Sequence, residues 1–137
     1  MQSSERISPW VEAGNIDWSC ITSNLKPRRY VKNQVVFYQN CESDYVYLVK
    51  EGRIRLDIYS SSGEEKTLFI ADKGTLIGEV SPIDGLPNMC RATAATDSAV
   101  YLIPKTEFLN QLHSNNKFAS DILYLFTLKM RALVEDI

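Results

Sequence analysis

The sequence predicts one mainly β domain, an antiparallel β-roll or double-stranded jelly roll with a helical segment at each end. The first observation is length: 137 residues are enough for a single domain to bury a core without disulfides. The second is a series of short runs rich in β-branched and aromatic residues, separated by turn signals, across residues 27–104. The third is a change to helical spacing of apolar residues after Pro104.

Composition narrows the class of protein further. The net charge of -2 and the apolar and charged fractions of 45% and 23% are ordinary for a soluble protein and give no sign of a nucleic-acid-binding surface. No run approaches the roughly 18 apolar residues that cross a bilayer, so we expect a cytoplasmic protein without a membrane anchor. The three cysteines are far apart, which indicates reduced thiols and neither a metal site nor a disulfide framework.

The N-terminal segment, residues 1–26, is expected to be helical. Ser8-Pro9 is typical of a helix start, because serine caps a helix and proline is tolerated in the first turn. A second short helix is predicted from Asp17-Trp18 to about Asn24, and Pro27 marks the change to strands.

Residues 27–104 are predicted to form the β-roll. Apolar Ile54, Leu56 and Ile58 alternate with polar neighbours, as in a strand with one buried face. A turn at 60–63 predicts that this strand forms a hairpin with the next. The other predicted strands are Val31, Gln34–Tyr38, Tyr45–Val49, Lys66–Ile70, Thr75–Ile77, Ala92–Ala95 and Ala99–Ile103.

Residues 105–137 are predicted to form two helices, Lys105–His113 and a longer one from about Lys117 onward, broken by Ser114-Asn115-Asn116. The long helix carries two apolar stripes, of which one can pack on the sheet. The second favours pairing with another copy of the chain, although plain core packing is the alternative. The absence of a stop signal at Ile137 indicates that the natural helix continues. The predicted homodimer contacts are Ile122, Leu125, Phe126, Met130 and Leu133.

The loop LIGEVSPIDGLPNMCRAT, residues 76–93, sets Glu79 and Arg91 at its two ends. One interpretation is ordinary turn chemistry at Gly78, Asp84-Gly85 and Pro87-Asn88, with the two charges solvated or paired across the surface. The other is a cradle for a small anion that carries a hydroxyl group. The loop alone leaves both open.

The run LVKEGRIRLDIYSSSGEEKTLFIADKGTLIGEVSPIDGLPNMCRATAATDSAVYLIP resembles the cyclic-nucleotide-binding domain of the catabolite activator and fumarate-nitrate regulator superfamily. Gly52, Gly63, Gly74 and Gly78 fall where that family places the turn glycines of its β-roll. Gly78-Glu79 together with Arg91-Ala92 is similar to its phosphate-binding cassette, a name used below for residues 78–93. With the helices at both ends, the resemblance covers nearly the whole chain.

This resemblance implies a ligand, cyclic AMP or another small anionic effector, and no cofactor. Arg91 would bind the cyclic phosphate in a bidentate manner. Backbone amides near Asp84, Gly85 and Ala92 would add donors, and the Thr93 hydroxyl is a further candidate. Glu79 would accept a hydrogen bond from the ribose, with Gly78 letting the backbone approach. The implied ligand-binding residues are Gly78, Glu79, Val80, Arg91, Ala92 and Thr93.

Three observations count against a cyclic nucleotide as the ligand. The spacing from Glu79 to Arg91 is about two residues longer than in typical nucleotide binders. The runs LVKEGRIRLDI and TLIGEV are also similar to relatives that sense haloaromatic acids. The helix position that touches the base falls at or just beyond Ile137. The helix-turn-helix domain of bacterial members is missing, which implies either a sensor half or a stand-alone domain, and the unfinished final helix favours the former.

Other residues are assigned ordinary roles. His113 is expected near a helix C-terminus, and Cys90 is expected to be an inert buried thiol and not a redox-sensitive one. No nucleophile and base can be paired, so an enzyme is not expected. Two functions remain: an effector-sensing module of a transcription regulator that contacts DNA through another domain, and a dimerisation module whose cassette is vestigial.

Overall fold

The computed structural model describes residues 16–135, so the predicted helix start at Ser8-Pro9 and the chain end at Ile137 lie outside the described residues. The helices are α1 (Ser19–Thr22), α2 (Val80–Asp84), α3 (Lys105–Ser114) and α4 (Asn116–Glu135). The strands are β1 (Arg28–Tyr30), β2 (Val35–Phe37), β3 (Tyr45–Glu51), β4 (Ile54–Tyr59), β5 (Glu65–Ala71), β6 (Leu76–Ile77), β7 (Arg91–Ala94) and β8 (Ser98–Pro104).

The strands form two four-stranded antiparallel sheets. Sheet A has the order β1-β8-β3-β6, and sheet B has the order β2-β7-β4-β5. The predicted hairpin is confirmed, because β4 and β5 pair antiparallel with Tyr59 opposite Glu65. The predicted antiparallel β-roll is therefore confirmed.

The two sheets bury their facing side chains against each other. Phe37 of sheet B stacks on Tyr47 of sheet A with 4.9 Å between ring centroids, and Val49, Leu56 and Ala92 are buried in the same core. Burial raises the pKa of Tyr47 to about 12, so its hydroxyl keeps its proton. Alternation along the strands places these residues on one face, as the sequence pattern predicts.

The opposite face of sheet A carries the helices. Phe118 of α4 contacts Trp18 and Phe108 edge to face, at centroid separations of 6.1 and 5.8 Å. Such aromatic contacts fix α3 and α4 relative to the segment before β1 that contains Trp18. The first half of α4 is thereby anchored in the core.

Several predicted boundaries change. Val31 is exposed and lies beyond the end of β1, and β7 begins at Arg91, one residue before the predicted start. The pattern did not predict α2, because a helix of five residues is too short to show periodicity. Gly85 ends α2 in the left-handed conformation, with φ of 74°, as a glycine C-cap does.

The predicted dimer face needs correction. Ile122 and Leu125 are buried in the core of their own chain, because they share the inner stripe of α4 with Phe118. Met130 is exposed and Leu133 is partly exposed, whereas Phe126 is half-buried. The stripe that is open to solvent contains Leu123, Tyr124, Met130 and Val134.

Candidate ligand-binding pocket

A cavity of about 400 Å³ lies between sheet B, the cassette and the second half of α4. Its wall is almost entirely apolar, and its polar groups come from a few side chains. A largely apolar concave site with few polar groups is the usual form of a small-molecule pocket. The lining residues are Phe37, Leu56, Leu68, Phe69, Ile77, Gly78, Glu79, Val80, Ser81, Asn88, Met89, Cys90, Phe126, Lys129, Met130 and Leu133.

Gly78 makes the turn that brings the cassette to this cavity. Its φ of +73° lies in the left-handed region, and a Cβ at this position would lie 3.1 Å from the Tyr47 ring. A side chain here would therefore strain the backbone and press on the core. The glycine lets β6 turn directly into α2 and sets Glu79 at the wall.

Glu79 points into the protein and pairs with a lysine of α4. The Glu79 carboxylate binds the Lys129 ammonium, and the two side chains are only 5% and 13% exposed. Lys129 also donates to the carbonyl oxygen of Leu76 at 2.8 Å. Burial lowers the pKa of Lys129, and the neighbouring Glu79 carboxylate opposes that shift.

Asn88 fixes the far side of the cassette. Its side-chain amide donates to the carbonyl oxygen of Tyr38 at 3.1 Å and accepts from the Ser81 hydroxyl at 3.4 Å. Its backbone exchanges hydrogen bonds with Asn40 and Cys41. The loop is thus tied to the β2–β3 connection by both backbone and side chain.

Two backbone amides at the end of α2, where the resemblance places donors for a phosphate, already have partners. Gly85 donates to the carbonyl oxygen of Ser81 at 2.9 Å, as the cap of α2. Leu86 donates to the Asp84 carboxylate at 2.9 Å. In this conformation these groups build the turn.

Arg91 lies outside the cavity, in an ion-pair network of sheet B. Its Nη2 is 3.3 Å from the Asp57 carboxylate and 3.2 Å from that of Glu65. The guanidinium also lies over the Tyr59 ring, 4.6 Å from the centroid, in a cation–π contact. These contacts direct the arginine to neighbouring strands and away from the pocket.

Asp57 is the centre of this network. It is fully buried and also accepts from Arg55 at 3.0 Å and from the Thr67 hydroxyl at 2.9 Å. Burial alone would raise the pKa of Asp57, but the hydrogen bonds from Arg55, Thr67 and Arg91 outweigh it and hold the pKa below its usual value.

The six site residues implied by the resemblance therefore divide into two groups. Among the described residues, the lining of the cavity includes Gly78, Glu79 and Val80 but not Arg91, Ala92 or Thr93. Ala92 is buried opposite Phe37 in the β2–β7 pairing. Thr93 is buried beside Arg55 in the β4–β7 pairing, and its hydroxyl has no partner among the described residues.

The structure does not bring Glu79 and Arg91 together. A surface pair between them was one reading of the loop, but Glu79 binds Lys129 and Arg91 binds Asp57 and Glu65. In this conformation Glu79 lines the cavity and Arg91 does not, and the assignment of both residues to one ligand stays a prediction. The physical reason is register, because β7 starts at Arg91 and places it directly opposite Asp57.

Cys90 is a pocket residue with an unreactive thiol. Burial raises its pKa to about 11, and the nearby Glu79 carboxylate acts in the same direction. A thiol with so high a pKa carries little thiolate at neutral pH, so it behaves as a small apolar group. The inert role predicted for Cys90 agrees with this environment.

Sequence reasoning missed Lys129 and Asn88. Lys129 falls on the inner stripe of α4, with Leu125 before it and Ala132 after it. A charged residue in an otherwise apolar stripe was the available signal, because lysine is rarely buried without a partner. Asn88 gave no comparable signal, because asparagine after proline is ordinary turn chemistry.

The two-sheet β-roll with a long final helix is the framework that carries this cavity. The family model described as "Cyclic nucleotide-binding domain" matches residues 27–115. The chain belongs to this family. The matched family is one of binding domains and not of enzymes.

The relatives include bacterial regulators. The chain is 27% identical over 109 residues to the cyclic AMP receptor protein of Thermus thermophilus, which is 80% of this chain and 50% of the relative. The structure of Thermus thermophilus catabolite activator protein has a TM-score of 0.77 and 23% identity, covering 94% of this chain and 61% of that one. This structural likeness shows the fold.

A second solved structure is the sensor domain of the transcriptional regulator DNR from Pseudomonas aeruginosa. It has a TM-score of 0.69 and 19% identity, and the match covers 85% of this chain and 79% of that domain. The chain thus spans about half the length of the curated receptor protein it matches and most of a sensor domain. Within residues 16–135, no helix is long and apolar enough to cross a membrane.

Proposed function

We propose that the chain is the effector-sensing domain of a bacterial transcription regulator, acting in the cytoplasm. Its effector is a small, mostly apolar molecule with one anionic group, such as a haloaromatic acid. One observation carries this proposal: Lys129, paired with Glu79, is the sole cationic residue lining a mostly apolar cavity, within the part of the chain that the structure describes. An ammonium in a dry pocket is a strong partner for a carboxylate or phenolate.

A cyclic nucleotide is the second candidate, and family membership favours it. A nucleotide needs donors for its phosphate, and the family's arginine is matched here by Arg91, which is bound to Asp57 and Glu65. It also needs a free carboxylate for the ribose, and Glu79 is bound to Lys129. A nucleotide would have to exchange both of these ion pairs, whereas an apolar acid would have to exchange only the Glu79–Lys129 pair.

We further propose that the protein acts as a homodimer through the exposed stripe of α4. Leu123, Met130 and Val134 lie on one side of the helix, with Tyr124 beside them. Exposed apolar patches of this kind mark interaction sites. Binding of the effector would change the position of α4 and so the arrangement of the dimer, which requires unequal effector affinity for the two arrangements.

A thermal-shift panel of cyclic AMP, cyclic GMP and chlorinated phenolic acids tests the effector class. A ligand at about 100 times its dissociation constant stabilises the fold by roughly 2.7 kcal/mol. We expect stabilisation by at least one of the acids and none by either nucleotide. Stabilisation by the nucleotides alone would favour the second candidate, and no shift with any compound would favour a dimerisation module with a vestigial cassette.

A further inference from the structure

The second half of α4 is held to the β-roll differently from the first half. Phe118, Ile122 and Leu125 pack into the core, whereas Phe126, Lys129, Met130 and Leu133 face the cavity. After Lys129, Ala132 is the buried residue within the described part of the helix. The end of α4 therefore lies over a pocket, with little packed core beneath it.

Lys129 connects this end of α4 to the β-roll across the pocket. Its side chain leaves the inner stripe of α4 and reaches both the Glu79 carboxylate and the carbonyl oxygen of Leu76. These two acceptors lie on either side of the Gly78 turn, where β6 passes into α2. One buried cation thus connects the far end of the long helix to the start of the cassette.

A buried ion pair of this kind is weak evidence for extra stability, because desolvation offsets most of the attraction. It does hold two elements in one arrangement, because separating the partners leaves a charge in an apolar wall. Among the described residues, the titratable groups that act on the pair include Cys90, which lies in the pocket beside both partners, and Asp57 acts on Cys90 from β4.

We propose that the Glu79–Lys129 ion pair is a latch that fixes the end of α4 on the cassette and transmits pocket occupancy to that helix. This step rests on the effector class proposed above: an anionic effector in the cavity takes the place of Glu79 on Lys129. The latch then opens, and the last turns of α4 are free to move. The position of the helix end depends on which anion Lys129 binds.

Hydrogen exchange followed by mass spectrometry tests the latch on the ligand-free chain. The variants are Glu79→Gln, Lys129→Met and the double variant, in which two neutral side chains replace the pair. The control is Lys117→Gln, which removes the exposed Lys117–Asp121 pair of the same helix. We expect each single variant to speed exchange in residues 126–135 about tenfold or more, with β3 and β8 unchanged, and the control to change nothing.

Thiol labelling of Cys90 in a Cys20→Ser, Cys41→Ser background provides a second readout. Cys90 lies in the pocket beside the pair, so an open latch should raise its labelling rate by a similar factor. Unchanged exchange and labelling in folded single variants would overturn the latch, as would equal loosening of the whole β-roll. Because no ligand is added, a negative thermal-shift panel would refute the effector class and leave this result standing.

Discussion

At the scale of single residues, the cation at the wall of the cavity is Lys129 and not Arg91, the residue to which the resemblance gives the anion-binding role. Arg91 uses its planar group to join three strands of sheet B through Asp57, Glu65 and Tyr59. Lys129 places a compact charge at the wall of the pocket. Arginine suits a fixed network with several acceptors, and lysine suits a site where one anion replaces another.

Asp57→Asn should be among the most destabilising polar substitutions. It leaves Arg55 and Arg91 without their shared buried carboxylate, and breaking such a pair costs about 3 kcal/mol or more. The matched control is Asp72→Asn, which breaks an exposed pair with Arg53 and should cost less than about 1 kcal/mol. Urea denaturation of both variants gives the free energies of unfolding, and equal losses would show that the network is not structural.

Cys90 should make stability fall at alkaline pH. Its folded-state pKa of about 11 is above the ordinary thiol value of 9.0, so the folded state keeps a proton that the unfolded chain loses. The contribution of this protonated thiol to the free energy of unfolding is therefore fully present below pH 9 and is lost as pH rises towards 11. Denaturation at several pH values should show a smaller alkaline loss in Cys90→Ala, and identical pH profiles would contradict the burial of this thiol.

At the scale of elements, the three faces of α4 lie in three different environments. The inner stripe packs in the core, a second stripe lines the cavity, and a third is open to solvent, with Met130 at the border between the second and the third. The sequence showed two apolar stripes but did not show which of them faced inward. That assignment depends on how α3 and Trp18 seat Phe118, and such packing is tertiary.

Leu125 and Leu123 should respond in opposite ways to truncation. Leu125 is 1% exposed, so Leu125→Ala should cost about 3 kcal/mol of unfolding free energy through lost burial and a cavity. Leu123 is 66% exposed, so Leu123→Ala should change monomer stability by less than about 0.5 kcal/mol. Chemical denaturation at low protein concentration, where dimers dissociate, would show the contrast or refute this orientation of α4.

Leu123→Asp should weaken the proposed homodimer, because it places a charge in the exposed stripe at a residue that does not line the cavity. The control is Lys117→Gln, a change at an exposed position of the same helix outside that stripe. Sedimentation velocity at micromolar concentration should show a dimer for the parent chain and the control, and a monomer for Leu123→Asp. A parent chain that stays monomeric, even when its last helix is lengthened, would count against the interface.

At the scale of the whole molecule, the fold was more predictable than the site. Alternation in β4, the turn at 60–63 and the helical spacing after Pro104 are local patterns, and they led to the correct architecture. Glu79 was correctly placed beside a turn glycine. The contacts of Arg91 and Lys129 were not predicted, because their partners Asp57 and Glu79 lie 34 and 50 residues away in the sequence. Strand register sets the first contact, and the packing of α4 sets the second.

The described chain should not bind duplex DNA specifically. Its net charge of -2 provides little attraction for phosphates, and the sequence shows no helix-turn-helix pattern. Electrophoretic mobility shifts with promoter fragments should show no salt-sensitive, sequence-specific complex. Such a complex would mean that a DNA-reading surface lies within these residues.

The central claim is that the effector is held at Lys129 and not at Arg91. The direct measurement is calorimetric titration of the parent chain, Lys129→Met and Arg91→Lys with the acid that stabilises the fold, and with cyclic AMP. The claim predicts that Lys129→Met weakens acid binding by about tenfold or more, a loss of roughly 1.4 kcal/mol, while Arg91→Lys changes it less than about twofold. Cyclic AMP binding that survives Lys129→Met and is lost in Arg91→Lys would contradict it.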